Sequence, residues 1–195
     1  MSKIKYDDIA GKYDVVDLVI PSKWRHRAAS LTYGRVLEVG IGTGLNIPFY
    51  PNHCQEIIGI DVSAPMLGQA AERVPLSKVP VKLQAMDVQN LLLPAGSFDC
   101  VLATFVFCTV PDPFQGLREC HRVLKPGGNL VLLEHMGSEN RQLRQVMNWL
   151  NPLTVRLLGD HINRDTVKLV AAAGFRTQIV ENLFGDVVRL VVAGK

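Results

Sequence analysis

Residues 35–44 read Arg35-Val36-Leu37-Glu38-Val39-Gly40-Ile41-Gly42-Thr43-Gly44, an apolar run that closes on three glycines in five residues. A β-branched apolar run bounded by glycine reads as a buried strand. Glycines directly after it let the backbone turn sharply and come close to a ligand. Outward from this stretch, similar runs recur at residues 56–61 (EIIGID), 81–86 (VKLQAM), 98–103 (FDCVLA) and 129–134 (NLVLLE), each predicted as a buried strand. Helical patterns at residues 63–74 and 112–124, and a short turn near 89–92, fall between them. Strand, helix, strand repetition implies a parallel sheet wound on both faces.

The last third is organised differently. Residues 142–158 are amphipathic but carry Pro152, which predicts a kink or split there. Residues 163–173 form another helix, with Asn163 as its cap and Gly174 as its stop. Residues 175–180 and 187–193 are two strands joined through Gly185-Asp186, too close for a parallel crossover and therefore antiparallel. The expected fold is α/β and Rossmann-like. It has a seven-stranded sheet, five strands parallel and then an antiparallel C-terminal hairpin, with helices on both faces.

Length and composition set limits. A chain of 195 residues fits one domain with a proper core. The net charge of +3 is mild and no Lys/Arg block occurs, which argues against a dedicated nucleic-acid binder. The charged N-terminal residues 1–8 lack the apolar core of a signal peptide, and the longest apolar run, residues 101–110, is too short to span a bilayer. Cys54, Cys100, Cys108 and Cys120 are widely spaced and form no CxxC pair. They read as reduced core residues of a cytoplasmic protein, with no disulfide and no metal expected.

The glycine turn is placed where open α/β sheets bind ligands, at the carboxyl end of the first strand. A nicotinamide dinucleotide is the first competitor for it, since its fingerprint is also glycine-rich. That fingerprint is G-x-G-x-x-G around a pyrophosphate; here the spacing is G-x-G-x-G, with Glu38 two residues ahead. An acid suits a ligand bearing an amino group and a sulfonium, S-adenosylmethionine. Asp61 ends the second strand, where a carboxylate can accept from ribose hydroxyls; that feature supports a nucleoside without choosing between cofactors. Asp87, with Val88 beside it, can accept from an adenine amine, or it can serve as a plain cap.

The loop, residues 57–67 (IIGIDVSAPML), the Asp87-Val88 pair and residues 121–128 (HRVLKPGG) together resemble small class I S-adenosylmethionine-dependent methyltransferases. Residues 9–14 (IAGKYD) with Trp24-Arg25 resemble the opening of ubiquinone/menaquinone C-methyltransferases. Residues 42–51 (GTGLNIPFYP), 105–113 (FVFCTVPDP), 132–140 (LLEHMGSEN) and 159–166 (GDHINRDT) are similar to the phospholipid N-methyltransferase and thiol methyltransferase branches. The resemblance implies Glu38, Gly40, Gly42, Gly44 and Asn46 around the methionine part of the cofactor. It implies Asp61, Val62 and Met66 at the ribose and adenine, and Asp87 and Val88 at the adenine. Thr104 and Phe105 would lie against the methionine moiety, and Tyr13 would close over the site. The chain is expected to depart from the thiol-methylating branch in having no membrane-anchoring segment, which leaves its relation to a membrane open.

The acceptor is narrowed by absence. Residues 104–108 (TFVFC) carry no Asn/Asp-Pro-Pro-aromatic clamp of the kind that methylates amide or base nitrogens, which points to an apolar acceptor pocket. Phe105 and Phe107 read equally as core. His135 and His161 are candidate general bases, with Tyr6 a weaker one, and each reads also as a structural hydrogen-bonder. Arg141, Arg144 and Arg156 are placed on one side of residues 142–158, with Leu143, Val146, Met147 and Leu150 on the other. This predicts either an ordinary surface helix or a basic helix resting on an anionic membrane. The expectation is one methyltransferase domain, residues 1–195, with 1–30 as a helical lid and 138–162 as an acceptor-side helical insertion. It acts on a phospholipid amine such as phosphatidylethanolamine, a quinone-like ring or a thiol. It is cytoplasmic, with peripheral contact to an anionic membrane, and either a monomer or a homodimer. An NAD-dependent oxidoreductase and a non-catalytic S-adenosylmethionine-binding protein are the alternatives.

Overall fold

A computed structural model describes residues 20–195, and it places the glycine turn at the centre of a seven-stranded sheet. The strands are β1 (Gly34–Val39), β2 (Cys54–Asp61), β3 (Val81–Ala85), β4 (Phe98–Thr104), β5 (Leu124–His135), β6 (Arg176–Phe184) and β7 (Val188–Gly194). The helices are α1 (Ser22–Ala29), α2 (Ala64–Arg73), α3 (Pro113–Val123), α4 (Arg141–Leu158) and α5 (Thr166–Ala172). The sheet order is β3-β2-β1-β4-β5-β7-β6. β1 pairs parallel with both β2 and β4, so the order reverses beside β1 and opens a crevice at its carboxyl end.

The closing hairpin is antiparallel as expected, and the strand nearer the C-terminus sits inside it: β7 pairs with β5, leaving β6 at the edge. Composition explains the choice. Leu190, Val191, Val192 and Ala193 are buried on both faces of the sheet, whereas β6 is polar enough to stand largely exposed. Burying each of those larger aliphatic side chains contributes on the order of 2 kcal/mol.

Strand alternation divides the core into two layers. Leu37, Val39, Val101 and Leu132 meet Leu117 and Val123 of α3 and Val170 of α5. Val36, Cys100, Leu102 and Val131 meet Ala28 and Ala29 of α1 and Tyr50. All four cysteines are free and buried.

Helix starts follow short polar caps. Ser63 accepts from the Met66 N–H, Asp112 from Gln115 and Asn140 from Gln142 and Leu143. Two expectations need correction. The helix after residue 160 is capped by Asp165, which accepts from the Lys168 N–H, and not by Asn163. Arg164 explains the delay: its Nη1 donates to the Phe107 and Val110 carbonyls, tying this segment to the turn after β4 before a helix can begin. Pro152 does not split α4, which runs unbroken from Arg141 to Leu158. The carbonyl it leaves without an intrahelical donor belongs to Asn148, on the exposed side, where water can serve it.

The face that α4 buries also differs from expectation. Arg144 turns inward, donating from Nε to the Ser138 carbonyl at 2.6 Å and from Nη2 to Gly137 at 3.1 Å, and Met147 is buried beside it. That clamp fixes the rotation of the helix and leaves Leu143, Val146, Trp149 and Leu153 facing outward. No helix among the described residues is long and apolar enough to cross a membrane.

Candidate active site

Glu38 stands at the end of β1 under the glycine turn, 1% exposed. Its Oε1 accepts from Asn46 Nδ2 at 2.7 Å and its Oε2 from the Tyr50 hydroxyl. Asn46 also donates to Thr104 Oγ1 at 3.0 Å, and Arg25 Nη1 donates to Thr104 Oγ1 at 2.9 Å and to Asn46 Oδ1 at 3.3 Å. One network thus joins α1, β1, the loop after it and β4. Burial pushes the Glu38 carboxyl up to about 7, against the lowering effect of the Tyr50 and Asn46 hydrogen bonds and the Arg25 charge. Burial and the Glu38 charge in turn drive the Tyr50 phenol upward.

Above this network the chain turns through Gly40 (φ 61°), Gly42 (φ 56°) and Gly44 (φ 84°). The turn is held from the neighbouring strand. Asp61 Oδ2 accepts from the Gly42 N–H at 2.9 Å, while Oδ1 accepts from Ser63 N–H at the same distance. A carboxylate at the end of this strand can accept from sugar hydroxyls. A cavity of about 320 Å³ opens over the turn. Gly40, Gly42, Asp61, Val62, Met66, Asp87, Val88, Thr104, Phe105 and Arg25 all line it. Asp87 is exposed and accepts from the Gln89 backbone N–H at 2.8 Å, so it caps its own turn as well as bordering the cavity.

Nine of the expected cofactor residues therefore border one cavity: Gly40, Gly42, Asp61, Val62, Met66, Asp87, Val88, Thr104 and Phe105. Glu38, Gly44 and Asn46 lie behind its wall, Gly44 packed against Ile47 and Ala70. Tyr6 and Tyr13 fall outside the described residues, as does most of the expected lid. Arg25 and Tyr50 were not anticipated as site residues. A Trp-Arg pair before the first strand was the signal for Arg25; nothing in the pattern around Tyr50 marked it, because its role depends on the return of the chain under β1.

The cavity fits S-adenosylmethionine on its own geometry. Among the described residues, a Cβ built at Gly42 would meet only the Gly40 carbonyl, 4.0 Å away, so the backbone there is bare toward the cavity. The buried carboxylate beneath it favours a cation, and the Asp61 carboxylate suits a ribose.

Beyond Phe105 lies a second polar centre. His135 ends β5, and its Nε2 is 2.9 Å from Asp160 Oδ2. The buried Cys108 thiol lies nearby, and ligand atoms of the three residues all lie within 4.8 Å of one another. Glu134 faces the turn after β4, where its Oε1 accepts from the Val106 and Phe107 N–H groups at 2.7 and 2.9 Å. Burial raises the Glu134 carboxyl. Asp160 raises the His135 imidazole against the opposing effect of burial, which is the largest single influence on it. His161 is half-buried beside this centre; burial and Arg164 lower its imidazole. Its backbone N–H donates to the Cys108 carbonyl at 3.0 Å.

Known proteins agree with this geometry. Residues 37–132 match a methyltransferase domain family. A demethylmenaquinone methyltransferase of Lactiplantibacillus plantarum is 32% identical over 167 residues, 79% of this chain and 70% of that protein. A phosphatidylethanolamine N-methyltransferase of Cereibacter sphaeroides is 42% identical over 115 residues, 58% of this chain and 56% of that protein. The chain spans about 56–63% of the length of several such curated relatives. The fold is shared with a SAM-dependent methyltransferase from Thermotoga maritima, with TM-score 0.72 and 24% identity over 97% of both chains. The chain belongs to the S-adenosylmethionine-dependent methyltransferase family. Its donor is S-adenosylmethionine.

Proposed function

We propose that this protein transfers a methyl group from S-adenosylmethionine to the amine of a phospholipid headgroup such as phosphatidylethanolamine. The observation that carries the donor half is the Glu38 network, a buried acid directly beneath a glycine turn with room above it. When bound, the cofactor supplies an electrophilic methyl on a sulfonium. The chain supplies alignment and exclusion of water, which account for most of the catalysis in such a displacement. Asp61 holds the ribose, Asp87 and Val88 border the adenine, and Thr104 and Phe105 flank the methionine. Arg25, 7% exposed and anchored on Thr104 and Asn46, pairs with the methionine carboxylate. Tyr13 is assigned to closure over the site.

The acceptor half rests on two supports. One is the relative named for phosphatidylethanolamine. The other is α4, whose outward Val146, Trp149 and Leu153, with Arg141 alongside, suit an anionic bilayer as the place from which an amphiphilic acceptor is collected. Residues 138–162 thereby serve the acceptor side. A quinone ring is the second reading, favoured by the relatives named for demethylmenaquinone.

Turnover of methyl-labelled S-adenosylmethionine decides between them, with vesicles of phosphatidylethanolamine, demethylmenaquinol in detergent and an alkyl thiol as acceptors. Label in the phosphatidylethanolamine headgroup is the expected result. Label in the quinol or the thiol alone would replace this acceptor, and no turnover on any despite binding of S-adenosylhomocysteine would leave a binding protein.

A further inference from the structure

We propose that His135 and Asp160 form a general-base dyad, His135 taking the proton of an amine acceptor and Asp160 positioning it. This rests on the methyl-transfer reading above and gives that reaction its proton acceptor. A carboxylate oxygen can only accept, so the proton between His135 and Asp160 belongs to His135 Nε2. Nδ1 then carries the lone pair. That atom is buried and has no partner among the described residues, an arrangement unfavourable enough to need a reason. A proton-bearing ligand on the acceptor side supplies one.

Phe105 is the wall that the two centres share. It lines the cofactor cavity, and its ring lies 6.1 Å from the His135 ring, inclined at 39°. Among the described residues it is also the one non-glycine at positive φ, 57°, immediately after β4. Such a conformation is costly and concentrates at functional sites. The dyad requires this one side chain to shift so that Nδ1 can meet the cavity that Phe105 lines.

Asp160 is held to a single position. Thr154 Oγ1 donates to its carbonyl at 2.8 Å, Gly159 ends α4 at φ 71°, and the following N–H is tied to Cys108. The groups facing the dyad are Glu134 on β5, Cys108 after β4, and His161 and Arg164 before α5. Cys108, Asp160 and His135 offer the donor types of a zinc site, but the distance speaks against one. Two nitrogen or oxygen ligands on a tetrahedral zinc stand about 3.3 Å apart, given bonds of about 2.0 Å; 2.9 Å is a hydrogen bond.

The step balances without another reactant. The acceptor ammonium gives one proton to Nδ1, and its freed lone pair forms the new N–C bond. The S–C bond breaks with its electron pair left on sulfur, which becomes a neutral thioether, and His135 returns its proton to water.

The test compares wild type with His135→Asn, Asp160→Asn and His161→Asn on an amine acceptor across pH, alongside nitrogen-15 NMR of the imidazoles and binding of S-adenosylhomocysteine. His135→Asn is expected to lower kcat about a hundredfold and abolish the acidic limb of the rate profile. Asp160→Asn moves that limb to lower pH, and His161→Asn leaves it in place. The NMR spectrum is expected to show His135 protonated on Nε2 when neutral.

An Nδ1-protonated tautomer overturns the dyad, as does an acidic limb that survives His135→Asn or is lost in His161→Asn. Stoichiometric zinc in the purified protein, or no turnover of any amine while S-adenosylhomocysteine binds, overturns it equally. Failure to bind S-adenosylhomocysteine would instead remove the donor reading beneath it.

Discussion

Gly40 and Gly42 both sit at positive φ, yet a side chain at each would meet different surroundings. At Gly40 a Cβ would stand 2.5 Å from Val106 Cγ2, a stiff branched side chain that cannot yield easily. Gly40→Ala is therefore expected to lower stability by about 2–4 kcal/mol, from left-handed strain and overlap together. Gly42→Ala has open space, so strain alone costs about 1–2 kcal/mol. Its methyl enters the cavity, and affinity for S-adenosylhomocysteine should fall at least tenfold. Urea denaturation and calorimetry measure the two effects separately, and a Gly42→Ala protein with unchanged affinity would move the cofactor elsewhere. The glycine turn was legible because spacing alone encodes it. Asp160 was not. It gains meaning only beside His135, 25 positions earlier, and no local pattern states that β5 and the end of α4 converge.

At the scale of elements, α4 carries apolar residues on the side turned away from the core. Trp149 is 81% exposed, Leu153 54% and Val146 52%. Inserting a Trp or Leu side chain into a bilayer interface gains roughly 1.5–3 kcal/mol, or about tenfold or more in partitioning. Co-sedimentation with phosphatidylglycerol vesicles at low salt should therefore drop about tenfold in each of Trp149→Ser and Leu153→Ser, without loss of thermal stability. Binding equal to wild type in both would exclude this face as the contact. Periodicity announced that α4 is amphipathic but could not say which side faces the core. Arg144 decides that through two backbone carbonyls, a tertiary contact outside the reach of helical spacing. The closing hairpin was easier to read, because two strands joined by so short a connection must pair antiparallel; which of them lies inside came only with the structure.

The whole molecule responds to pH through Glu38, and the sign follows from its environment. Burial holds the folded carboxyl near 7, against an ordinary value of 4.5 when exposed. Between those values the folded state binds the extra proton, so stability is fully present below about 4.5 and is lost as pH rises through 7. The loss amounts to about 3 kcal/mol for a group so fully buried. A cationic cofactor above the turn reverses the preference by favouring the carboxylate. Binding should then release a proton and tighten between about pH 5.5 and 7, below the titration of the cofactor amine. Thermal denaturation gives both terms: the ligand-free midpoint should fall across that window while the stabilisation by saturating S-adenosylmethionine grows. Glu38→Gln removes the titrating group but keeps an acceptor for Asn46, so its ligand-induced shift should be smaller and flat with pH. A wild-type shift that is itself flat would mean that Glu38 is ionised before the cofactor arrives, and that the buried acid is a fixed charge which the fold maintains unaided.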